Sequence, residues 1–246
     1  MGVIDVIGNA LSDYANREKT YWSWDDACRA AKSDYSDALL TDFRIARSKG
    51  ILGEEEGIFI PSPVISEAME GEAAHFVDFG GAVGEMCSVI QKRFPSWSFT
   101  VVETTAMARA AASVRPSVSF ADKLPDEITV LHTSGTLQYL KDAEGVWDGA
   151  LQRTRRYACL VRNAFESKIQ YRVQRSRLFD NGGGPIPPGF HDMEIRYPQR
   201  TLSERKMVRI AEKNGFELVR RINQNSGVVS SVKGMYGADL LFKRVR

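Results

Sequence analysis

The feature that most constrains this chain is a change of rhythm at residue 75. From there, short apolar runs recur: His75–Phe79, Ser98–Glu103, Val118–Phe120, Ile128–Thr133 and Tyr157–Phe165. Helix-patterned segments follow the first runs. Val83, Met86, Cys87, Ile90 and Phe94 keep helical spacing until Pro95, and an Ala-rich stretch runs to Ser113. Strands separated by helices are joined by crossovers, and crossovers place the strands parallel in one sheet. The end of the chain breaks this alternation. Thr201 or Ser203 starts a helix to Asn214, Gly215 stops it, and the β-like runs Phe216–Ile222 and Ala238–Val245 follow across a polar Ser/Gly stretch. Two strands with no helix between them predict an antiparallel pair at the sheet edge. The expected fold class is α/β: a doubly wound, seven-stranded, mostly parallel sheet with an antiparallel edge strand.

Residues 1–57 read as helical. Trp24 to Ala46 carries Ala27, Ala30, Ala31, Tyr35, Ala38, Leu39 and Phe43 at the spacing of one helix, with Ser23 as its N-cap and Asp25 and Asp26 in the first turn. Tyr21, Trp22 and Trp24 either stack on a sugar or on adenine or, the preferred reading, anchor that helix to the core. Residues 58–65, IFIPSPVI, read as extended because of Pro61 and Pro63. The expected division is a helical extension over residues 1–70 packed on an α/β domain over residues 71–246. A loop rich in Gly and Pro is expected at residues 180–200.

Composition narrows the setting. Cys28, Cys87 and Cys159 are far apart and odd in number, which argues against a disulfide framework or a structural zinc site. No run approaches the roughly 18 apolar residues of a membrane span, and the N-terminal MGVIDVIGNALSDY lacks the pattern of a secretory signal. A cytoplasmic protein is expected. Residues 1–150 hold 13 Lys/Arg against 23 Asp/Glu, whereas residues 151–246 hold 20 against 8. Such asymmetry suits either an anionic partner or a solvated basic face. Arg172, Arg175 and Arg177, after the fifth run, are candidates for holding a diphosphate, or else lie on a solvated helix.

The first strand runs into Asp78-Phe79-Gly80-Gly81-Ala82-Val83-Gly84. Small residues at a strand-to-helix turn let backbone approach a ligand, and the following helix aims its N-terminus at the same place. The nicotinamide spacing GxGxxG does not fit, because Ala82 and Glu85 stand where its second and third glycines belong. The pattern is acid-x-Gly-x-small-x-Gly (Asp78, Gly80, Ala82, Gly84), the form used by the large seven-stranded methyltransferase class, whose ligand is an amino acid joined to a nucleoside. Glu103 ends the second strand, where an acidic side chain can accept both ribose hydroxyls. Asp122 follows the third strand, where a residue of this kind reaches an adenine amino group or simply opens a turn before Pro125. With Gly81, Thr104, Lys123, Thr133 and Ser134, these residues make up the expected S-adenosylmethionine-binding set.

VDFGGAVG, FTVVE, LHTSGTLQYL and a YP dipeptide before a late helix ending NGFEL occur in that order. Together they resemble a family of methyltransferases associated with polysaccharide and lipopolysaccharide biosynthesis, over roughly residues 75 to 222. Ser134, Leu137, Gln138, Tyr139 and Leu140 carry the more diagnostic block. Arg162-Asn163-Ala164 departs from the family's R-T-P-like segment. The resemblance implies a class I methyltransferase fold, S-adenosylmethionine as cofactor, and a sugar, glycan precursor or related small molecule, in keeping with an anionic one, as acceptor. The 180–200 loop would then lie on the acceptor side.

Methyl transfer to a hydroxyl calls for alignment and for a base. His191, in the Gly/Pro-rich loop, and His132, in the fourth strand, are the candidates; His75 reads as structural or exposed. His191 and Glu194 have the spacing of helical metal ligands, but the neighbouring Gly and Pro residues oppose a helix, so no metal site is expected. Two rivals stay open. One is nucleic-acid methylation, disfavoured because the fourth strand is not followed by an Asn/Asp-Pro-Pro-aromatic loop and there is no Pro-Cys nucleophile. The other is a non-catalytic binding module that keeps the cofactor residues.

Overall fold

The computed structural model describes residues 19–224 and 234–245. The helical reading of residues 1–18 and most of the polar connection before the last strand lie outside these residues.

The seven-stranded sheet has the order β3-β2-β1-β4-β5-β9-β8, built from β1 (His75–Phe79), β2 (Ser98–Val102), β3 (Ser119–Ala121), β4 (Ile128–Ser134), β5 (Thr154–Phe165), β8 (Phe216–Gln224) and β9 (Tyr236–Arg244). β1 to β5 pair in parallel, and β9 runs antiparallel to both β5 and β8. The antiparallel pair thus occupies the sheet edge, with β9 one place in and β8 outermost. This is the class I methyltransferase arrangement. Strand order reverses between β1 and β4, which opens a crevice at their carboxyl ends.

Helices cover both faces. Successive residues of β1 point to opposite sides. Val77 joins Leu131, Trp147, Leu160 and Phe242 under α6 (Ala143–Arg153) and α7 (Glu204–Lys213). Phe76 joins Val101, Val130, Cys159 and Ile65 under α3 (Pro63–Ala68) and α4 (Glu85–Arg93). α5 (Thr105–Ala112) buries Met107 and Ala111 beside Val83. The buried Trp147 indole donates to the carbonyl of Met207, tying α6 to α7.

The expected helix from Trp24 to Ala46 is two helices, α1 (Trp24–Ala31) and α2 (Ala38–Lys49). Ser23 caps the first as expected, its Oγ accepting the Asp26 N–H at 3.1 Å. Lys32 then turns left-handed at φ 63°, Asp34 accepts the Ser36 N–H, and Asp37 caps α2 by accepting the Leu39 N–H. Short polar side chains that bond nearby N–H groups compete with helix continuation, so KSDYSD wins over the apolar spacing around it. Pro63 opens α3 at its first position, where a missing N–H costs nothing; residues 63–65 are therefore helical rather than extended. Trp22 is 98% exposed, which corrects its reading as an anchor, while the Tyr21 N–H pairs with the Tyr171 carbonyl at 2.8 Å. Leu137–Tyr139 forms a 3₁₀ turn, with α6 beyond it.

The region after β5 also departs from expectation. Tyr171–Arg177 (β6) and Glu194–Arg200 (β7) form a separate antiparallel pair. The loop is thereby shortened to the segment between them, and Arg172, Arg175 and Arg177 lie on a strand rather than a helix. Arg172 pairs with Glu166 at 2.9 Å, Arg177 with Asp192 at 2.9 Å, and Arg175 approaches Glu194 at 4.0 Å. Glu144, Asp148 and Glu67 from the acidic half take Arg200, Lys213 and Arg220. Part of the charge asymmetry along the chain is therefore neutralised in space.

Candidate active site

A cleft of about 710 Å³ opens at the carboxyl ends of β1, β4 and β5. The sheet supplies its floor. One wall comes from α2 and the segment after it (Arg44, Arg47, Ser48 and residues 58–63), and another from residues 180–183 with Gln174 and Tyr197 of the β6–β7 pair. Arg47 holds two of these walls together. Its guanidinium donates to the carbonyls of Gly184 at 2.7 and 3.1 Å, Asn181 at 3.1 Å and Phe179 at 2.5 Å.

The glycine segment forms the turn between β1 and α4. Gly80 is left-handed at φ 77°, and a Cβ there would stand 2.2 Å from the Thr136 side chain. A Cβ on Gly81 would stand 2.4 Å from Asp78 Oδ2. These glycines are needed for close packing of protein on protein as well as for any ligand. Gly84 precedes α4 and, lacking a side chain, supplies no cap to its first turn.

Glu103, just beyond β2, spans the turn. Its Oε1 accepts the Ala82 N–H and its Oε2 the Thr104 N–H, both at 3.0 Å. Burial pushes its carboxyl above the usual range, and these two hydrogen bonds oppose the rise. Asp122 is exposed and accepts the Thr105 hydroxyl at 2.9 Å.

Asp78 is turned away from the solvent. Its Oδ1 lies 2.8 Å from His132 Nδ1, directly across from it in the register of β1 with β4. Both side chains are almost wholly buried, and both line the cleft. His132 Nε2 is buried and has no hydrogen-bond partner among the described residues.

Of the residues expected from the sequence, Asp78, Gly80, Gly81, Ala82, His132 and Ser134 line this cleft. Gly84, Glu103, Thr104, Asp122 and Lys123 do not line it, although Glu103 accepts the N–H of the lining residue Ala82. Thr133 is buried on the strand face opposite His132, and its hydroxyl has no partner among the described residues. His191 is exposed on the β6–β7 connection and does not line the cleft. Glu194 opens β7, so the two do not share a helix.

Sequence reasoning missed the aromatic wall. Tyr35 stacks on Tyr139 with centroids 4.3 Å apart, and Tyr197 meets both edge-on. The Arg44 guanidinium lies over Tyr35 at 4.3 Å. Tyr139 donates to Gln174 Oε1 at 3.0 Å, and burial pushes its hydroxyl well above the usual range. The LQYL block is thereby divided by role: Leu137 is core, Gln138 accepts the Ala164 N–H at 3.2 Å, and Tyr139 faces the cleft. Arg162 was also missed as a lining residue. It is exposed at a bulge in β5 with φ 56°, its N–H donates to Asp239 Oδ1 at 3.0 Å, and no carboxylate among the described residues pairs with its guanidinium. No sequence pattern marks a non-glycine residue for that backbone region.

No protein-family model and no curated protein matches the chain. Among solved structures it is similar to CalS10, an amino pentose methyltransferase from Micromonospora echinaspora involved in calicheamicin biosynthesis (10% identity, 93% of this chain and 99% of that one, TM-score 0.49). It is also similar to the magnesium protoporphyrin IX methyltransferase ChlM from Synechocystis PCC 6803 (13%, 99% and 98%, 0.48) and to the glycopeptide N-methyltransferase MtfA (14%, 74% and 86%, 0.47). At these values the likeness adds nothing to what the strand order establishes.

Proposed function

We propose that this chain is an S-adenosylmethionine-dependent methyltransferase that methylates a hydroxyl of a sugar, a glycan precursor or a related small molecule. The observation that carries this reading is the meeting, at one topological switch point, of the glycine turn, the Glu103 carboxylate that braces it, and a cleft of about 710 Å³. That volume suits a cofactor-sized ligand with room beside it for a small acceptor.

The residues fit the cofactor. Glu103 keeps lone pairs free for ribose hydroxyls, because each oxygen has accepted a single N–H. The uncapped first turn of α4 offers N–H groups to a carboxylate. Asp122, at the end of β3, has a second oxygen for an adenine amino group. When bound, S-adenosylmethionine supplies a methyl group whose bond to the sulfonium breaks as its bond to the acceptor oxygen forms, leaving a neutral thioether. The protein's share is alignment and exclusion of water. The walls that Arg47 joins, together with the tyrosine cluster, enclose the space above Gly80 to Ala82. Arg162 gives the acceptor side a cation for a phosphate or carboxylate on the substrate.

Nucleic acid fits less well, since Arg172, Arg175 and Arg177 face carboxylates of their own chain. Calorimetry with S-adenosylhomocysteine tests the cofactor: binding by the wild type is expected, and its absence sinks the reading. Incubation with methyl-labelled cofactor and separate pools of sugar nucleotides, free glycans and RNA tests the acceptor. Label found in RNA alone would replace the carbohydrate reading. Binding with no label in any pool would favour a non-catalytic module.

A further inference from the structure

The arrangement of Asp78 does not suit a cofactor ligand. Its Oδ1 is 2.8 Å from His132 Nδ1, and its Oδ2 faces Cys87 Sγ at 3.9 Å. The carboxylate side chain is only 3% exposed. Gly81 leaves room for this orientation, because any side chain there would strike Oδ2. Phe76 lies against the imidazole with ring centroids 5.6 Å apart, which helps fix the ring plane.

The hydrogen bond selects a tautomer. An ionised carboxylate only accepts, so the proton lies on Nδ1 and a neutral ring has its lone pair on Nε2. That Nε2 is buried, has no partner among the described residues, and belongs to a ring that lines the cleft. A buried acceptor left without a donor is costly in a folded protein, and such atoms are seldom left so without a use.

We infer that Asp78 is a positioning residue and His132 the general base of the reaction, with Nε2 taking the proton of the acceptor hydroxyl. The inference rests on the methyltransferase reading above and deepens it by reassigning Asp78 from holding the cofactor to positioning His132. As the acceptor oxygen gains its new bond, its O–H bond breaks and an N–H bond forms at Nε2. The resulting imidazolium faces the Asp78 carboxylate, and the proton passes to solvent after product leaves.

The chain has only three histidines, His75, His132 and His191, so nitrogen NMR of the histidine-labelled full chain, assigned with His132→Gln, can read each ring. The expected result with S-adenosylhomocysteine bound is His132 protonated on Nδ1 and bare on Nε2. Calorimetry should show that Asp78→Asn and His132→Gln bind S-adenosylhomocysteine within about threefold of the wild type. On a carbohydrate that takes label in the pools above, kcat should fall by about 100-fold or more in His132→Gln and by at least about tenfold in Asp78→Asn, with the KM for cofactor unchanged. A wild-type ring protonated on Nε2 while S-adenosylhomocysteine is bound would overturn this proposal alone. So would a loss of more than about tenfold in S-adenosylhomocysteine affinity in Asp78→Asn, or an unchanged kcat in both variants. No binding by the wild type would remove the methyltransferase reading and this proposal with it.

Discussion

The Ala82 N–H donates to Glu103 Oε1 at 3.0 Å, so one carboxylate braces the glycine turn from the neighbouring strand. The second oxygen holds the Thr104 N–H at the start of α5. Glu103→Ala removes the brace and the ribose acceptor together. Hydrogen bonds to a charged group contribute roughly 1.5–3 kcal/mol each, so affinity for S-adenosylhomocysteine should fall by more than tenfold in calorimetry. Glu103→Gln keeps an acceptor oxygen and should lose less.

Gly80 carries two constraints that can be separated. Gly80→Ala brings a Cβ to 2.2 Å from Thr136 in a backbone at φ 77°. The clash is relieved in Gly80→Ala/Thr136→Gly, whereas the left-handed strain of about 1–2 kcal/mol remains. Urea melts should show a large loss of stability in the single variant and partial recovery in the double one.

Arg162 holds a left-handed backbone at φ 56° while its side chain stays exposed. Arg162→Gly removes the strain and sacrifices little packing. Stability should rise by up to about 1 kcal/mol in denaturant titrations. If the substrate carries a phosphate or carboxylate, the same variant should raise the KM for the acceptor by about tenfold or more and leave S-adenosylhomocysteine binding unchanged. A variant that is more stable and less able to hold its substrate is the pattern of a strained functional site.

Glu85 begins α4 and is 8% exposed. Burial raises its carboxyl above the ordinary glutamate value of 4.5, and a hydrogen bond from Ser48 opposes the rise. A raised acid binds its proton more tightly in the folded state. Its burial penalty is therefore fully present above the folded pKa and fades as pH falls through that pKa towards 4.5. Glu85→Gln should raise Tm most at neutral pH, with the gain shrinking as thermal melts approach pH 4.5.

The strands, the glycine turn and the late helix with its strand pair were legible in the sequence because each depends on residues a few positions apart. Apolar spacing fixes which segments become strand or helix, and Gly80 to Gly84 needs only its neighbours to declare a tight turn. The same local logic failed at KSDYSD, where capping chemistry outweighed periodicity, and at Pro63, where proline suits the first position of a helix. It failed again at Arg172 to Arg177, where pairing with β7 made a strand of residues whose sequence suited a helix equally well.

The sequence by itself determined the α/β class, the order of elements and the glycine segment with its acidic neighbours. Only the tertiary structure decided what those acids do. Asp78 and His132 are 54 residues apart, and the register of β1 with β4 puts them side by side. That register is set by Phe76, Val77, Val130 and Leu131 packing into two cores, and a slip of one residue would send His132 to the other face. The position of His191 and the grip of Arg47 on residues 179–184 likewise follow from how separate elements dock. Docking sums many weak apolar contacts across the whole chain, and no short stretch of sequence contains that sum.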